Sequence, residues 1–255
     1  MTSHRHQRSR PGRTWGRPSG LRLRRAWSAP LGLLTATFAA YAGYVGLTWL
    51  RYGCNTTDVE NADPLLDEFM PVFEAVERHQ IRVEAPAEIT LAAAREMELF
   101  HLPLVRAIFK GRELIMRSRR QETPPEPEGM LAQVLALGWG VLAERPGREI
   151  VVGAVTRPWE ANVTFRALPA ADFAHFSEPG FAKIAWTLRA DPAGPDRSIF
   201  RTETRVATTD ASSRAKFRLY WSFLSPGIWL IRRASLAPLK TAAERRARLA
   251  LTAAT

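Results

Sequence analysis

Residues 199–239 join two patterns that restrict the possible fold more than any other stretch of the sequence. From Ile199 to Ala207, apolar or β-branched side chains alternate with charged ones, which is typical of a strand with one buried face. Asp210 then offers an N-cap oxygen to a helix with one wide apolar stripe. Because such a stripe needs a sheet to pack against, the sequence predicts an α+β fold. The apolar positions of this helix are Phe217, Trp221, Leu224, Ile228 and Ile231.

The formal charge of +11 is concentrated in one part of the chain. Residues 1–50 contain eight arginines and no acidic residue, which leaves the rest of the chain at only +3. We therefore predict no nucleic-acid partner. The single cysteine, Cys54, excludes an intrachain disulfide. The histidines lack the spacing of metal ligands, and no phosphate loop or dinucleotide fingerprint occurs, so we predict no metal and no cofactor.

A run of 24 residues without a charged side chain extends from Trp27 to Leu50. As a helix it would be about 36 Å long, enough to cross a bilayer core. The alternatives are a buried core helix and a cleaved signal peptide, but the run is too long for the latter and lacks a clear cleavage site. We predict an uncleaved, single-pass membrane anchor that follows a disordered basic tail, residues 1–26. The arginines before the span place the N-terminus in the cytoplasm and the folded domain outside it.

The remaining sequence predicts a spacer with a short helix over residues 51–72, a main domain over residues 73–244 and a terminal tail, residues 245–255. Within the main domain, a strand precedes two helices that begin at Pro86 and Pro103. The second of these helices is expected to turn Leu104, Ile108 and Ile115 inward. The later elements are a short helix at 130–137, a hairpin turning at 145–147, strands at 148–156, 163–168 and 182–190, a helical or lid-like turn at 170–176, and the strand and helix of residues 199–239.

The segment Ser225-Pro226-Gly227 interrupts the apolar repeat of the terminal helix. Proline in a helix interior costs about 3 kcal/mol or more, so we expect a kink there or two abutting helices. Beyond Leu239 the sequence turns to alanine and arginine, and we expect this end of the helix to fray.

The order of strand, two helices, antiparallel meander and long terminal helix resembles the START-like helix-grip fold of the SRPBCC superfamily. That fold is shared by lipid-transfer domains, plant pollen allergens and aromatic polyketide cyclases. The resemblance covers roughly residues 77–244. Arg78–Glu88 and Thr202–Val206, with Asp210, Phe217 and Trp221, look like a bacterial, membrane-anchored branch. The resemblance implies a curved antiparallel sheet around a long C-terminal helix and an apolar cavity for a hydrophobic small molecule or lipid.

Bulky apolar side chains and one ion pair are the candidate ligand-binding residues. Glu203 and Arg205 lie on one face of the predicted strand and would bind a ligand head group if that face lines the cavity. The alternative is that the pair belongs to a charged, solvated sheet surface. The aromatic candidates would line the cavity or simply fill the core. They are Trp159, Trp186, Phe200, Phe217, Tyr220 and Trp221.

The sequence favours a membrane-anchored binding module for a hydrophobic small molecule or lipid. A cyclase or dehydratase that uses the same cavity is the second hypothesis, although no catalytic residue is assigned. Its acid–base pair would come from scattered residues such as Glu203, Tyr220 and His79. A protein-interaction or assembly module is the third, and it would show an exposed apolar patch without a cavity. The sequence does not identify a protein partner.

Overall fold

The structure, a computed structural model, describes residues 21–54, 62–98, 102–117 and 127–254. The chain divides into two compact units, Met1–Tyr44 and Val45–Thr255. Helix α1 (Leu21–Arg51) begins in the first unit and ends in the second. Residues 21–26 are therefore helical rather than disordered, whereas the rest of the predicted basic tail lies outside the described residues.

Helix α1 includes the predicted membrane anchor. Among the helices that the described residues form, none combines the length and mean hydropathy that a membrane span requires. The side chains of residues 21–34 lie outside the described part of the chain. Most of the polar spacer after the anchor, residues 55–61, and most of the proline-rich connection after α4, residues 118–126, lie outside it as well.

The second unit is an α+β domain. Its helices are α2 (Pro64–Asp67), α3 (Ala87–Arg95), α4 (Pro103–Met116), α5 (Met130–Ala136), α6 (Ala170–His175) and α7 (Ala211–Ala254). Its strands are β1 (Ala75–Val83), β2 (Gly140–Arg145), β3 (Glu149–Thr156), β4 (Phe165–Arg166), β5 (Ala182–Pro192) and β6 (Ser198–Thr208).

The strands form one curved antiparallel sheet in the order β1-β6-β5-β3-β2, with β4 added to one end of β3. The first and last main strands in sequence, β1 and β6, are therefore neighbours, and Ala75 to Val83 pair with Val206 to Ser198. Asp210 caps α7, because its carboxylate accepts hydrogen bonds from the backbone N–H and the hydroxyl of Ser213. The predicted strand, cap and helix of residues 199–239 are confirmed.

Helix α7 packs across one face of the sheet together with α3 and α5. Phe200 and Val206 of β6 face it, since side chains two residues apart share a face of a strand. Two apolar clusters lie along this interface. The one near the start of α7 contains Ala75, Ala182, Val206, Phe217 and Trp221. The larger one near its end contains, among others, Val83, Leu91, Val152, Leu188, Phe200, Leu236, Leu239 and Ala243.

The opposite face of the sheet is covered as well. Residues of α2, β2, β3 and α6 form a third cluster there, with Leu66, Met70 and Phe173 fully or almost fully buried. Strand β3 is consequently buried along its whole length. Its apolar character on both faces predicted this position, and the structure confirms it.

Two expectations for the helices are wrong, and one alternative of a third is excluded. Helix α7 continues through Pro226 and Pro238, so it does not divide into two abutting helices, while the kink at Pro226 stays a prediction. It also does not fray after Leu239, because Ala243 and Ala247 are buried in the larger cluster. In α4, Leu104 is 42% exposed and Val105 is fully buried, so the inward face is shifted by one residue. Ile108 is partly buried, and the side chain of Ile115 lies outside the described part.

We predict that Gly153→Ala destabilises the domain. A Cβ at this position of β3 would lie 2.6 Å from Leu142 Cδ1 and 2.9 Å from Phe173 Cε2, on the face covered by α6. Such overpacking typically costs about 1–3 kcal/mol. Chemical denaturation of the full chain in detergent measures the loss. The matched control is Gly111→Ala in α4, where no heavy atom of the described residues lies within 4 Å of the added Cβ and where alanine should raise stability by about 0.5–1 kcal/mol. Equal stabilities of the two variants would contradict the prediction.

Candidate functional site

Between the two apolar clusters of α7, the interface with the sheet is polar. Arg232 of α7 reaches β6, where one guanidinium nitrogen donates to Thr204 Oγ1 at 2.7 Å and the other to Thr202 Oγ1 at 3.3 Å. The guanidinium also lies over the Trp186 ring, 5.1 Å from its centroid. A positive charge is thus held at the middle of the helix–sheet interface by two neutral hydroxyls and an indole.

The environment of Arg232 does not neutralise its charge. Burial lowers the pKa of Arg232 to about 10, and the carboxylate of Glu77 opposes that shift. Among the described residues, Arg232 forms no ion pair within 4.0 Å. A desolvated cation without a close counterion is unfavourable. An anionic group that reached Arg232 would therefore be bound strongly, with bidentate hydrogen bonds available.

Two titratable residues of β1 lie on the same face of the sheet as Thr202 and Thr204. His79 pairs with Thr202 and Glu77 with Thr204 in the antiparallel register. His79 Nε2 is 3.6 Å from Glu77 Oε2 and has no hydrogen-bond partner among the residues that the structure describes. We name Glu77, His79, Thr202, Thr204 and Arg232 the polar cluster. Because β1 is at the edge of the sheet, the polar cluster lies near that edge.

The aromatic candidates lie in packed core clusters on this face. Phe200 and Trp186 belong to the larger cluster, and Phe217 stacks on Trp221 at 5.7 Å in the smaller one. These four side chains are at most 8% exposed, so they fill much of the space in which the sequence predicted a cavity. The structure thus favours the core alternative for them.

Tyr220 and Trp159 are partly buried at the border of the smaller cluster. Burial raises the pKa of the Tyr220 hydroxyl, and a hydrogen bond with Arg112 of α4 opposes this shift. Arg112 also donates to the carbonyl oxygens of Pro158 and Glu160. Tyr220 and the 158–160 turn are thus linked through one arginine.

Glu203 and Arg205 do not face α7. They point to the opposite side of the sheet, since they alternate with Thr202 and Thr204 along β6. They do not form a solvated surface either, because Glu203 is 6% exposed and Arg205 is fully buried. Both residues are buried because α2 and the loop after it cover this part of the sheet. The sequence predicted either a ligand cavity or a solvated surface on this face, and neither alternative included such a cover.

Arg205 is the centre of a buried ionic network. Its guanidinium donates to Glu203 Oε1 at 2.7 Å, to Asp67 Oδ1, and to the carbonyl oxygen of Met70 at 2.8 Å. It also lies 4.6 Å from the centroid of the Phe73 ring. Arg78 of β1 binds the same carboxylate of Glu203, with its Nη2 3.0 Å from Oε1. These contacts fasten the segment that contains α2 to the centre of the sheet.

A cleft of about 170 Å³ lies beside this network, on the face of the sheet away from α7. Arg78, Arg189, Arg201, Glu203 and Asp63 are among its lining residues. Asp191 neutralises two of the arginines, because it is 2.8 Å from Arg189 Nε and 3.0 Å from Arg201 Nε. Acidic and basic groups are therefore nearly balanced in this cleft.

Two carboxyl groups meet at the edge of the cleft. Burial raises the pKa of Glu149 to about 8, and the hydrogen bond and negative charge of Asp63 add to the shift, while Arg189 and Arg145 oppose it. Asp63 itself caps α2 by accepting from the Leu66 N–H at 3.0 Å. The raised pKa favours the protonated form of the Glu149 carboxyl beside Asp63. No group of three or more potential metal ligands occurs in the part of the chain that the structure describes.

The element order, the sheet pairing and the position of α7 now identify the architecture. The chain has a START-like helix-grip fold. The fold is therefore as the sequence resemblance implied, although the cover of α2 and α6 on the second face of the sheet was not expected.

Comparison with solved structures returns proteins of low sequence identity to this chain. A norcoclaurine synthase from Thalictrum flavum is 11% identical, with 71% of this chain and 96% of that chain covered and a TM-score of 0.31. An aromatase/cyclase from Streptomyces is 14% identical, with 68% and 94% covered and a TM-score of 0.25. A START superfamily protein from Mycobacterium smegmatis is 12% identical, with 68% and 97% covered and a TM-score of 0.24. No protein-family model and no curated protein matches the sequence.

Sequence reasoning missed the most unusual residue of the interface. Arg232 follows Ile228 by four residues and precedes Leu236 by four, so helical spacing alone places it on the inner face of α7. The pairing of Glu149 with Asp63 had no comparable signal, because the two residues are distant in sequence and meet only through the packing of α2.

We predict that Arg205→Met costs about 3–5 kcal/mol of stability, because it leaves the buried Glu203 carboxylate and the Met70 carbonyl oxygen without their main donor. Denaturant unfolding of the full chain measures this loss. The control is Arg197→Met at an exposed ion pair with Glu84, which should change stability by no more than about 0.5 kcal/mol. A loss of similar size in both variants would refute a central role for the network.

We predict that the Glu149 carboxyl makes the domain less stable as the pH rises from about 4.5 towards 8. Its pKa is raised in the folded chain from 4.5 to about 8, so the folded state holds a proton that the unfolded state has lost in this range. Its contribution is complete below pH 4.5 and is lost as pH rises through 8. Glu149→Gln, which keeps a neutral donor next to Asp63, should reduce the difference between urea midpoints at pH 6 and pH 9. An unchanged difference would show that Glu149 is not the titrating group.

Proposed function

We propose that this protein is a membrane-tethered binding module for an amphipathic molecule with a hydrophobic body and an acidic head group. The head group binds Arg232 in the polar cluster, and the hydrophobic body lies between α7 and the sheet. The observation that carries the proposal is the position of Arg232: a partly buried guanidinium, bonded to two threonine hydroxyls, between two apolar clusters.

The surroundings of Arg232 support this class of ligand. A purely hydrophobic molecule would have to cover a positive charge, which is costly. A small, fully polar anion would make no favourable contact with the neighbouring apolar side chains. A molecule with an acidic head group and an apolar body meets both requirements. Its carboxylate or phosphate supplies the missing counterion, and its apolar body contacts aromatic rings such as that of Trp186.

A path to the polar cluster is available at the edge of the sheet. Arg232 is only partly buried, and the neighbouring β1 has no strand on its outer side among the described residues. Pro226, six residues before Arg232, removes a backbone hydrogen bond from α7. The helix is therefore easier to bend there, and bending would separate the smaller cluster from the sheet.

Membrane attachment is the second part of the proposal. It is supported by the uncharged run from Trp27 to Leu50 and by the eight arginines that precede or adjoin it. The N-terminus would lie in the cytoplasm and the helix-grip domain on the other side. A sparingly soluble ligand would then be concentrated where the domain is tethered.

The Arg232→Gln variant tests the ligand site. Native mass spectrometry of the detergent-extracted full chain should show a co-purified acidic amphiphile on the wild type and its loss from the variant, because glutamine keeps hydrogen-bonding capacity without the charge. Arg233→Gln, next to it but exposed, is the matched control and should retain the ligand. A wild type without any bound molecule, or equal retention in both variants, would contradict the proposal.

A cyclase- or dehydratase-like enzyme is the second candidate function. It is favoured by the His79 imidazole, which is close to Glu77 and has an unsatisfied nitrogen facing the polar cluster. Glu203 is not available for this role, because it lies on the other face of the sheet. His79→Asn separates the two functions: loss of turnover with the bound ligand retained indicates the enzyme, whereas retention of both supports the binding module.

A further inference from the structure

Residues 219–231 of α7 form the longest uncharged part of that helix, bounded by Arg218 and Arg232. A helix with one buried face is normally polar on the other. Here the outward face is apolar as well, with Leu219 53%, Phe223 47% and Leu230 40% exposed. Leu219, Phe223, Pro226 and Leu230 follow one another at intervals of four, three and four residues, so they lie in a single stripe along the helix. We name Leu219, Phe223, Pro226 and Leu230 the outer stripe.

Further exposed apolar side chains come from the end of α1, within the second unit. Arg218 fixes this end to α7, since its Nε and Nη2 donate to the Trp49 carbonyl oxygen at 3.0 and 2.7 Å and its guanidinium lies over the Trp49 ring. Leu47, Trp49 and Leu50 are 46%, 37% and 72% exposed. The first residue of the outer stripe, Leu219, thus directly follows Arg218, to which the end of α1 is attached.

Tyr52 strengthens the same attachment. Its hydroxyl donates to Glu74 Oε2 at 2.9 Å, and its ring lies 6.1 Å from that of Phe217. Burial, followed by the charge of Glu74, raises the pKa of the Tyr52 hydroxyl, so it remains a donor at any physiological pH. Glu74 in turn binds Arg214 of α7 and Thr208. The end of α1 is therefore held in a defined place beside the outer stripe.

The charges that α7 itself places around the outer stripe are all positive. From Ala211 to Ala243, α7 contains six basic residues and no acidic one. Lys216 and Arg233 are exposed near the two ends of the stripe. The neighbouring α4 packs against α7 and adds exposed Arg106 and Lys110, together with one exposed acidic residue, Glu113. An apolar strip with a basic rim matches the interface of a bilayer that contains anionic lipid.

We propose that the outer stripe docks on the membrane surface, so that α7 lies in the headgroup region next to the tether. This inference rests on the membrane attachment in the proposed function. A second copy of the chain is a less suitable partner, because two identical basic rims would repel each other. Docking would also place α7, with Pro226 and Arg232, at the source of an amphipathic ligand.

Site-directed fluorescence quenching in vesicles tests the docking. Cys54 is exposed and is the sole cysteine, so Cys54→Ser gives a background for single labels. The full chain is reconstituted in phosphatidylcholine vesicles with or without phosphatidylglycerol, and a fluorophore is attached at Phe223→Cys. The control is Gln80→Cys, an exposed position on the face of the sheet away from α7. A third label, Leu47→Cys, reports on the tether.

Docking predicts that lipid-borne quenchers reduce the emission of the label at position 223 and not at position 80, more strongly with phosphatidylglycerol. Phe223→Glu, with the label moved to Leu219→Cys, should abolish this quenching. Unfolding curves equal to that of the Cys54→Ser parent confirm that each labelled chain is folded.

The other outcomes overturn the inference in distinguishable ways. Quenching at position 47 without quenching at position 223 refutes docking and leaves the tether of the proposed function intact. Absence of quenching at both positions refutes the tether as well. A label at position 223 that is unquenched by lipid but crosslinks to a second copy shows that another protomer covers the outer stripe.

Discussion

The packing of α7 along the curved sheet is the contact on which the rest of the structure depends. It buries apolar side chains near the start of the helix around Phe217 and towards its end around Leu239. The strong packing at both ends holds Arg232 over the central strands despite the cost of desolvating its charge. The polar cluster therefore exists because the apolar contacts on either side of it are sufficient to keep the helix in place.

The face of the sheet away from α7 is stabilised by a different kind of interaction. Its apolar cluster is small, and buried charges are stabilised there by one another. Arg205, fully buried, is bonded to two carboxylates and a carbonyl oxygen, and burial together with the neighbouring Asp63 raises the pKa of Glu149 and favours its protonated form. Such networks contribute little net stability compared with apolar packing, but they are costly to break. They specify where α2 must lie, and α2 closes the face that a simple helix-grip sheet would leave to solvent.

Local patterns in the sequence determine which parts of this structure were predictable. The alternation in β6, the cap at Asp210 and the helical repeat of α7 depend on neighbouring residues, and each was predicted correctly. The face that covers Glu203 and Arg205 was not, because alternation separates two faces without showing what packs on either. That depends on α2, whose Asp67 comes from a segment far from β6 in sequence. The inward orientation predicted for Leu104 was wrong for a related reason. In a short helix, a shift of one residue is enough to rotate the predicted inward face.

The candidate site was also predictable only where a local pattern in the sequence determines it. Trp186 was correctly placed on the sheet face towards α7 and Phe217 on the inner side of α7, but size and polarity could not distinguish a lining residue from a packed one. The cluster of Arg232, His79 and Glu77 combines two elements from opposite ends of the domain. Only the register of β1 on β6 brings them together, and no local pattern encodes that register.

Helix α7 has a mechanical consequence because a single unbroken helix carries both the attachment of α1 and the guanidinium of the polar cluster. Arg218 and Arg232 are separated by about 21 Å at 1.5 Å per residue. Pro226 lies between them and has no N–H to donate to the Ser222 carbonyl oxygen. A bend of α7 at Pro226 would therefore change the angle between the part of the helix that binds α1 at Trp49 and the part that carries Arg232.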